Sequence, residues 1–556
     1  MKELLARLRA KPLLALELLT ASLFINVLAL TPPLFFILVF NRYVSSGFDG
    51  TLITLSVGMI LAVLFKSAFT LARNRLAEDV AGDRESQRLH QAFVAVVRSR
   101  PAALARLPKT QVMEAVQGPQ ALQAAYSPQN IGAVLDAPFA VLSVGLIFLL
   151  STQLGLATLA GLAVTALFGL HGLYGARKPA KELGEAVTAG RHVAAQALQE
   201  PDTVRAFGGQ DFLVRSWNAH MRRIQSLRAS TFRVESVSQA GSEAAGLLMR
   251  AVIIALGARL VVQGQLSVGA VIGASFLAGL PMGVVSRLIR ALSAMTSAQE
   301  QTAKLGLVAG LPLEPDKGLA VESCKGRLDF VDLAFAWPQA PGPLFESLSL
   351  SLAPGNVLVV TGRNGSGKTT LARLVVGLLT PIRGQIMVDG LDLRQVAPAW
   401  WRRQLVYLPQ EPSFMNVSIR ENIRMANPDI TDENLPGIIE RSGLRPYLNA
   451  HPQGLEQILA DGGRHLSPGV RRRLALARAL AADGPLVLLD DPTEALDKEG
   501  CRTMLDVIRD LEQRQKTILI FSNDMRVLNL AGLFLDLNIK PVPRVTQPGA
   551  VQGGGS

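Results

Sequence analysis

The stretch "TGRNGSGKTTLARLVVGL" places Gly362, Asn364, Gly365, Gly367, Lys368, Thr369 and Thr370 in one loop, after the apolar run "VLVV" and before a helical segment. That is G-x-x-x-x-G-K-[ST] in a strand–loop–helix setting. Glycines let successive backbone N–H groups turn inward onto phosphate oxygens, and the helix N-terminus adds the positive end of its dipole. Lys368 is placed to reach the β- and γ-phosphates and the Thr369 hydroxyl to ligate Mg2+, so the loop reads as a nucleoside triphosphate site. A second cluster ends the apolar run "LVLLDD", where Asp490 closes a strand and Asp491 follows it. Asp490 would hold Mg2+ through water. Two adjacent carboxylates at a strand tip suggest a metal ligand beside a base.

Short β-like runs position these groups: "GRLDFVDLAF", "NVLVVTG", "QIMVDG", "LVYLPQ", "LVLLD" and "TILIFS". Helical stretches separate several of them, which predicts an α/β P-loop cassette with a largely parallel sheet. We assign it to 326–540, after a Pro/Gly-punctuated linker at 311–325 and before a low-complexity tail at 541–556.

The first half is of another kind. The 556-residue chain is 49% hydrophobic and 18% charged, with a mean hydropathy of +0.29. That is too apolar for a soluble enzyme and too long for one core. Apolar segments at 13–40, 51–72, 131–150, 154–176, 243–263 and 267–289 each approach the roughly 20 residues needed to cross a bilayer. Residues 1–310 therefore read as a transmembrane helical bundle with six spans, in contact with membrane lipid. The connections "STQLG" and "QGQLSVG" lack Lys and Arg, whereas the two long connections are rich in them, Arg73 and Lys109 in one, Arg177 and Lys178 in the other. Basic loops stay in the cytoplasm, which puts the long connections and everything after residue 290 there. The same placement accounts for much of the net charge of +12 without nucleic acid. Both long connections alternate apolar and charged residues at helical spacing, as water-exposed extensions of membrane helices would. "MKELLARLRAKPLL" reads as an amphipathic helix on the inner membrane face. Cys324 and Cys501 are too few and too far apart for a disulfide framework or a zinc site.

Between the phosphate loop and Asp490 lie "LVYLPQEPSFMNVSIRENI", with Gln410 at a strand end, and "GGRHLSPGVRRRLALARAL". In this order and spacing the chain resembles the ATP-binding cassette transporter family over almost its whole length. The resemblance implies a six-helix exporter of the type I class and a dimer of cassettes, with ATP and Mg2+ held between the phosphate loop of one subunit and the signature of the other. It puts Trp337 on the adenine, and Gln410 beside the γ-phosphate and Mg2+. Ser467 and Gly469 take signature places that donate across the interface. Within the family, "LTASLFINVLALTPPLFFILVFNRYV" and "VLDAPFAVLSVGLIFLL" look like membrane segments of the type I secretion exporters of Gram-negative bacteria. Those carry unfolded proteins or peptides through the inner membrane with a periplasmic adaptor and an outer-membrane channel.

Several positions depart from the family pattern. Asp491 stands where a catalytic Glu is usual, one methylene shorter, and Asn523 stands at the switch position where a His is usual. Asn can donate a hydrogen bond but carries no positive charge and shuttles no proton. The signature reads "LSPGV", in which Pro468 lacks an N–H, and the segment "EALD" has Glu494 in place of Ser. Together they imply slow hydrolysis at a degenerate site, and favour a heterodimer with a second half-transporter over a homodimer. A small-molecule or lipid exporter, and a nucleotide-gated regulatory half, remain alternatives on the same scaffold. Arg250, midway along an apolar span, is a candidate for the substrate path.

Overall fold

The computed structural model describes residues 2–117, 119–337, 340 and 342–546. They form two units, 2–97 with 107–311, and 98–106 with 312–546.

Among the described residues of the first unit six helical segments are long and apolar enough to cross a membrane: Pro12–Ser46, Asp49–Val80, Leu122–Leu150, Thr152–Leu198, Gln210–Val262 and Val268–Ala309. The longest continuous helices are α1 (Asp49–Arg98), α2 (Thr152–Gln199), α3 (Gln210–Val262) and α4 (Val268–Ala309). At 1.5 Å per residue a helix of that size runs about 60–80 Å, against a hydrocarbon core of about 30 Å. The long connections are therefore continuations of the spanning helices, as their periodicity predicts. Helices α2 and α3 lie side by side through small residues. A Cβ at Gly172 would stand 2.4 Å from the Ser238 hydroxyl, and one at Gly241 would stand 2.4 Å from the Phe168 ring. Glycine at those points lets the backbones approach.

The N-terminal helix Lys2–Ala10 does more than lie on a membrane surface. Leu4 is buried, Arg7 stacks 3.9 Å from the Tyr126 ring centroid, and Glu3 pairs with Arg88 at 2.8 Å. Arg73 is likewise not the solvated loop cation its sequence position suggests. It is buried and donates to Asp136 at 2.6 Å and to Ser22 at 3.2 Å, while Asn26 donates to Asp136 at 2.9 Å. Gly132 makes room, since a Cβ there would sit 2.8 Å from Arg73 Nη2. Removing one partner strands a buried charge, so Asp136→Ala is expected to cost about 3–5 kcal/mol. Thermal unfolding in lipid would register this, and the Arg73→Met, Asp136→Leu pair should recover most of the loss.

The second unit holds two sheets. Strands β1 (Leu328–Phe335), β2 (Phe345–Leu352), β4 (Arg383–Val388) and β5 (Leu391–Asp392) form an antiparallel sheet in the order β2-β1-β4-β5. Strands β3 (Val357–Thr361), β6 (Leu405–Leu408), β7 (Leu486–Asp490), β8 (Thr517–Phe521), β9 (Leu533–Asp536) and β10 (Arg544–Thr546) form the other, ordered β10-β9-β3-β8-β7-β6 and parallel except at β10. Strands β7 and β8 are buried along their whole length, which is why they read as unbroken apolar runs. Helix α5 (Lys368–Val375) follows β3, and α6 (Pro468–Ala481) precedes β7.

Two boundaries differ from expectation. The segment read as a linker is pinned to the cassette: Glu314 takes both Nη atoms of Arg402 at 2.8 and 2.6 Å, and Leu319 exchanges backbone bonds with Gln395 and Ala397. Residues 98–106 join this unit because Arg98 and Arg100 bond Glu314 and Pro312 through the backbone. At the other end β10 continues the sheet into the stretch read as tail, while 547–556 lie outside the described residues. Cys501 is buried and Cys324 only partly so, both as free thiols.

Candidate nucleotide site

The loop between β3 and α5 turns because glycine permits it: Gly365 has φ +81° and Gly367 φ +113°, and a Cβ at Gly367 would stand 2.8 Å from Leu344. The Lys368 ammonium, buried at the start of α5, donates to the Gly362 carbonyl at 2.6 Å. Asn523 lies just beyond β8 and grips the same residue from the other side. Its Nδ2 donates to the Gly362 carbonyl at 2.8 Å, and its Oδ1 accepts from the Gly362 N–H at 3.0 Å. This two-point bond fixes the orientation of the amide, because flipping it would break both contacts.

Around the loop opens a cavity of about 680 Å3 whose walls include Trp337, Asn364, Gly365, Gly367, Lys368, Thr369, Thr370, Gln410, Asp491 and Asn523. Residues more than 180 positions apart in the sequence thus meet in one place. Trp337 is 41% exposed and stands edge-on to Phe335 with centroids 5.3 Å apart, leaving a ring face open. Thr369 Oγ1 donates to Gln410 Oε1 at 3.2 Å, and Gln410 Nε2 reaches Glu494 at 3.4 Å.

Asp490 lies behind the cavity wall at 0% exposure, and neither of its carboxylate oxygens has a hydrogen-bond partner. Burial pushes its carboxyl up to about 6, with the nearby Thr369 hydroxyl opposing and Asp491 adding to the rise. Burial also raises Asp491, against the pull of Lys368. A buried carboxylate without a donor is costly. Asp490, the Thr369 hydroxyl and the Gln410 amide oxygen make an all-oxygen set beside a phosphate loop, and this fits a hard divalent cation that takes its other ligands from phosphate and water.

Ser467 and Gly469 do not line this cavity. Ser467 caps α6, accepting from the Val470 N–H at 3.3 Å, and Pro468 is the first residue of that helix. There its missing N–H would have had no partner inside the helix anyway, so "LSPGV" still starts a sound helix.

Sequence reasoning missed Arg472. This α6 side chain is 2% exposed and donates to the carbonyls of Pro409 (2.8 Å), Gln410 (2.7 Å), Asp490 (2.6 Å), Asp491 and Pro492 (3.4 Å). It ties the strand end carrying Gln410 to the strand end carrying the two acids. The signal was available: Arg472 shares a helix face with Leu476 and Ala479, all buried. Also missed was the Thr493–Asp524–Arg526 chain on the cavity wall, in which Thr493 donates to Asp524 at 2.6 Å. Arg526, 2.6 Å away, holds the Asp524 carboxyl well below the usual carboxylate range.

Two family patterns match the chain, the ABC transporter transmembrane region over residues 16–284 and the ABC transporter cassette over 345–494. The chain belongs to the ABC transporter family. It joins a membrane domain to an ATP-binding domain in one polypeptide. It is similar to the alpha-hemolysin translocation ATP-binding protein HlyB of Escherichia coli O157:H7, 28% identical over 492 residues, covering 87% of this chain and 69% of that one. It is also similar to the type I secretion system ATP-binding protein PrsD of Rhizobium meliloti (strain 1021), 28% identical over 521 residues, covering 93% and 88%. The structure of a bacterial Atm1-family ABC exporter with ATP bound superposes with a TM-score of 0.79 at 19% identity, covering 96% of this chain and 94% of that one. That likeness establishes the type I exporter fold.

Proposed function

We propose that this transporter is the inner-membrane subunit of a type I secretion system, moving an unfolded protein or peptide with ATP while hydrolysing slowly at its own site. The reading is supported by relatives named for toxin translocation and type I secretion over about nine-tenths of the chain. One geometric observation carries the slow hydrolysis: Asn523 is bound at both ends of its amide to Gly362, so the switch position is committed to the loop by a neutral group.

Trp337 stacks on the adenine, Lys368 holds the β- and γ-phosphates, the signature of a second half-transporter closes the site, and Ser467 and Gly469 of this chain close that partner's site in turn. Mg2+ at Thr369, Gln410 and Asp490 would neutralise charge on the transferred phosphoryl group. Asp491 is the base that orients water. Its carboxylate stops one methylene short, and a misplacement of ~1 Å can cost on the order of a hundredfold. Pairing with an intact relative leaves each composite site with only some of the departures, so we favour a heterodimer. A periplasmic adaptor and an outer-membrane channel complete the route.

The double change Asp491→Glu, Asn523→His is expected to raise ATP turnover several-fold, read as phosphate release by the full chain in lipid. Unchanged turnover would remove these positions as the bottleneck, and brisk hydrolysis by the unmodified chain purified alone would overturn the slow-site reading.

A further inference from the structure

The membrane unit pairs Arg73 with a buried carboxylate, but leaves other intramembrane arginines without one. Arg250 of α3 projects onto Gly279 of α4, where a Cβ would stand 2.8 Å from its Nη2. Arg287 of α4 lies over Gly283, with 3.5 Å between its Nη1 and a Cβ there, and Arg290 follows three residues on. All three are exposed, and among the described residues none has an ion-pair or hydrogen-bond partner. A lone guanidinium on a spanning helix is costly toward lipid and belongs in a watered interior.

The column continues downward. Positions 279, 283, 287, 290, 293, 297, 301 and 304 recur every three or four residues, so they form one face of α4. Its lower part, Ser293, Ser297, Gln301 and Lys304, walls a cavity of about 1290 Å3 that α2 completes with Arg177, Lys178 and Lys181. Lys304 is matched there by Glu114 at 3.1 Å, and the cavity's other carboxylates are Glu185 and Glu235. The positive excess thus rises from the cavity to Arg290 and Arg287 at the cytoplasmic end of the span and to Arg250 within the membrane, none of them paired among the described residues. Low-dielectric walls lined by one sign of charge concentrate counter-charge. In an extended chain, alternate side chains on one side repeat every ~6.6–7 Å. Arg250 meets α4 at Gly279, eight residues or about 12 Å from Arg287, close to two such repeats, and Arg290 lies about 4.5 Å beyond Arg287 along α4.

Resting on the protein-export reading, we propose that this face of α4 with Arg250 is the translocation track, and that it selects extended, acidic polypeptide. Carboxylates on alternate residues exchange from one arginine to the next as the chain advances, and no single site holds the chain tightly.

The test uses the assembled transporter in lipid nanodiscs and three fluorescent peptides of equal length, with Ser alternating with Glu, Gln or Lys. The Glu peptide should bind best, weaken with salt, and lose about tenfold in affinity in the Arg250→Gln, Arg287→Gln, Arg290→Gln variant. ATP affinity and the melting temperature should stay unchanged, and the Lys counterparts should restore part of the binding. Equal binding of the Gln peptide, indifference of the Glu peptide to the variant, or saturation of the site by free citrate would overturn the acidic-track inference and leave protein export standing. Failure of all three peptides to bind would overturn both.

Discussion

Lys368→Ala is expected to weaken ATP binding by about two orders of magnitude, because in the proposed site one residue would supply the charge-assisted bonds to two phosphates, each worth about 1.5–3 kcal/mol. Two other cations nearby are engaged elsewhere. The neighbouring cation Arg472 spends its donors on carbonyls, and Arg526 faces Asp524. Lys368 also closes the loop by bonding the Gly362 carbonyl, so a fall in affinity alone would mix lost phosphate contact with a loosened loop. Lys368→Met keeps the stem packed in the same buried space but loses both kinds of bond, so the melting temperature without nucleotide is what reports a loosened loop. A ligand that binds only the folded protein raises the melting temperature with concentration. The unmodified transporter should show that rise with ATP, and both variants should lose it while melting near the same temperature without nucleotide. An undiminished ATP-dependent rise in Lys368→Met would remove this lysine from the phosphate site.

What the chain discloses by itself is local. The phosphate loop was legible because glycine spacing, lysine and threonine state a backbone conformation and its ligand together. The six spans were legible because a bilayer imposes a length and an apolarity that few other settings require. Asp490 was legible as the end of an apolar strand. The contacts that assemble these pieces were not. Nothing local to Asn523 states that its amide will meet Gly362, 161 residues away. Arg73 counts as a loop cation until Asp136 is brought beside it from 63 residues on. The linker reads as free chain from its Pro and Gly content, yet the Glu314–Arg402 pair, 88 residues apart, pins it. Pro468 misled in another way: taken alone it removes a donor, and only its place as the first residue of α6 makes that loss harmless to the helix.

Arg472→Met should lower turnover far more than it lowers nucleotide affinity, and should destabilise the cassette by about 3–5 kcal/mol. Among the described residues the guanidinium is the only group bonded at once to the backbone of Gln410 and of both acids. Methionine matches its stem but leaves five carbonyls without that donor, each costing about 1–3 kcal/mol unless water replaces it. Lysine is not equivalent, because a single ammonium cannot span the fork between the two strand ends. In the proposed site the adenine and phosphate contacts would come from Trp337 and the loop, to which no hydrogen bond from Arg472 runs. The positions of Gln410 and Asp491 relative to each other do depend on it, and water must be oriented between them. The two effects therefore separate: ATP affinity should stay within about threefold while turnover falls on the order of a hundredfold. Arg472→Lys should recover more stability than turnover. A purely structural brace would instead lower melting temperature, affinity and turnover together, and an Arg472→Met cassette with unchanged turnover at a temperature where it remains folded would show that the alignment of Gln410 with Asp491 is set elsewhere.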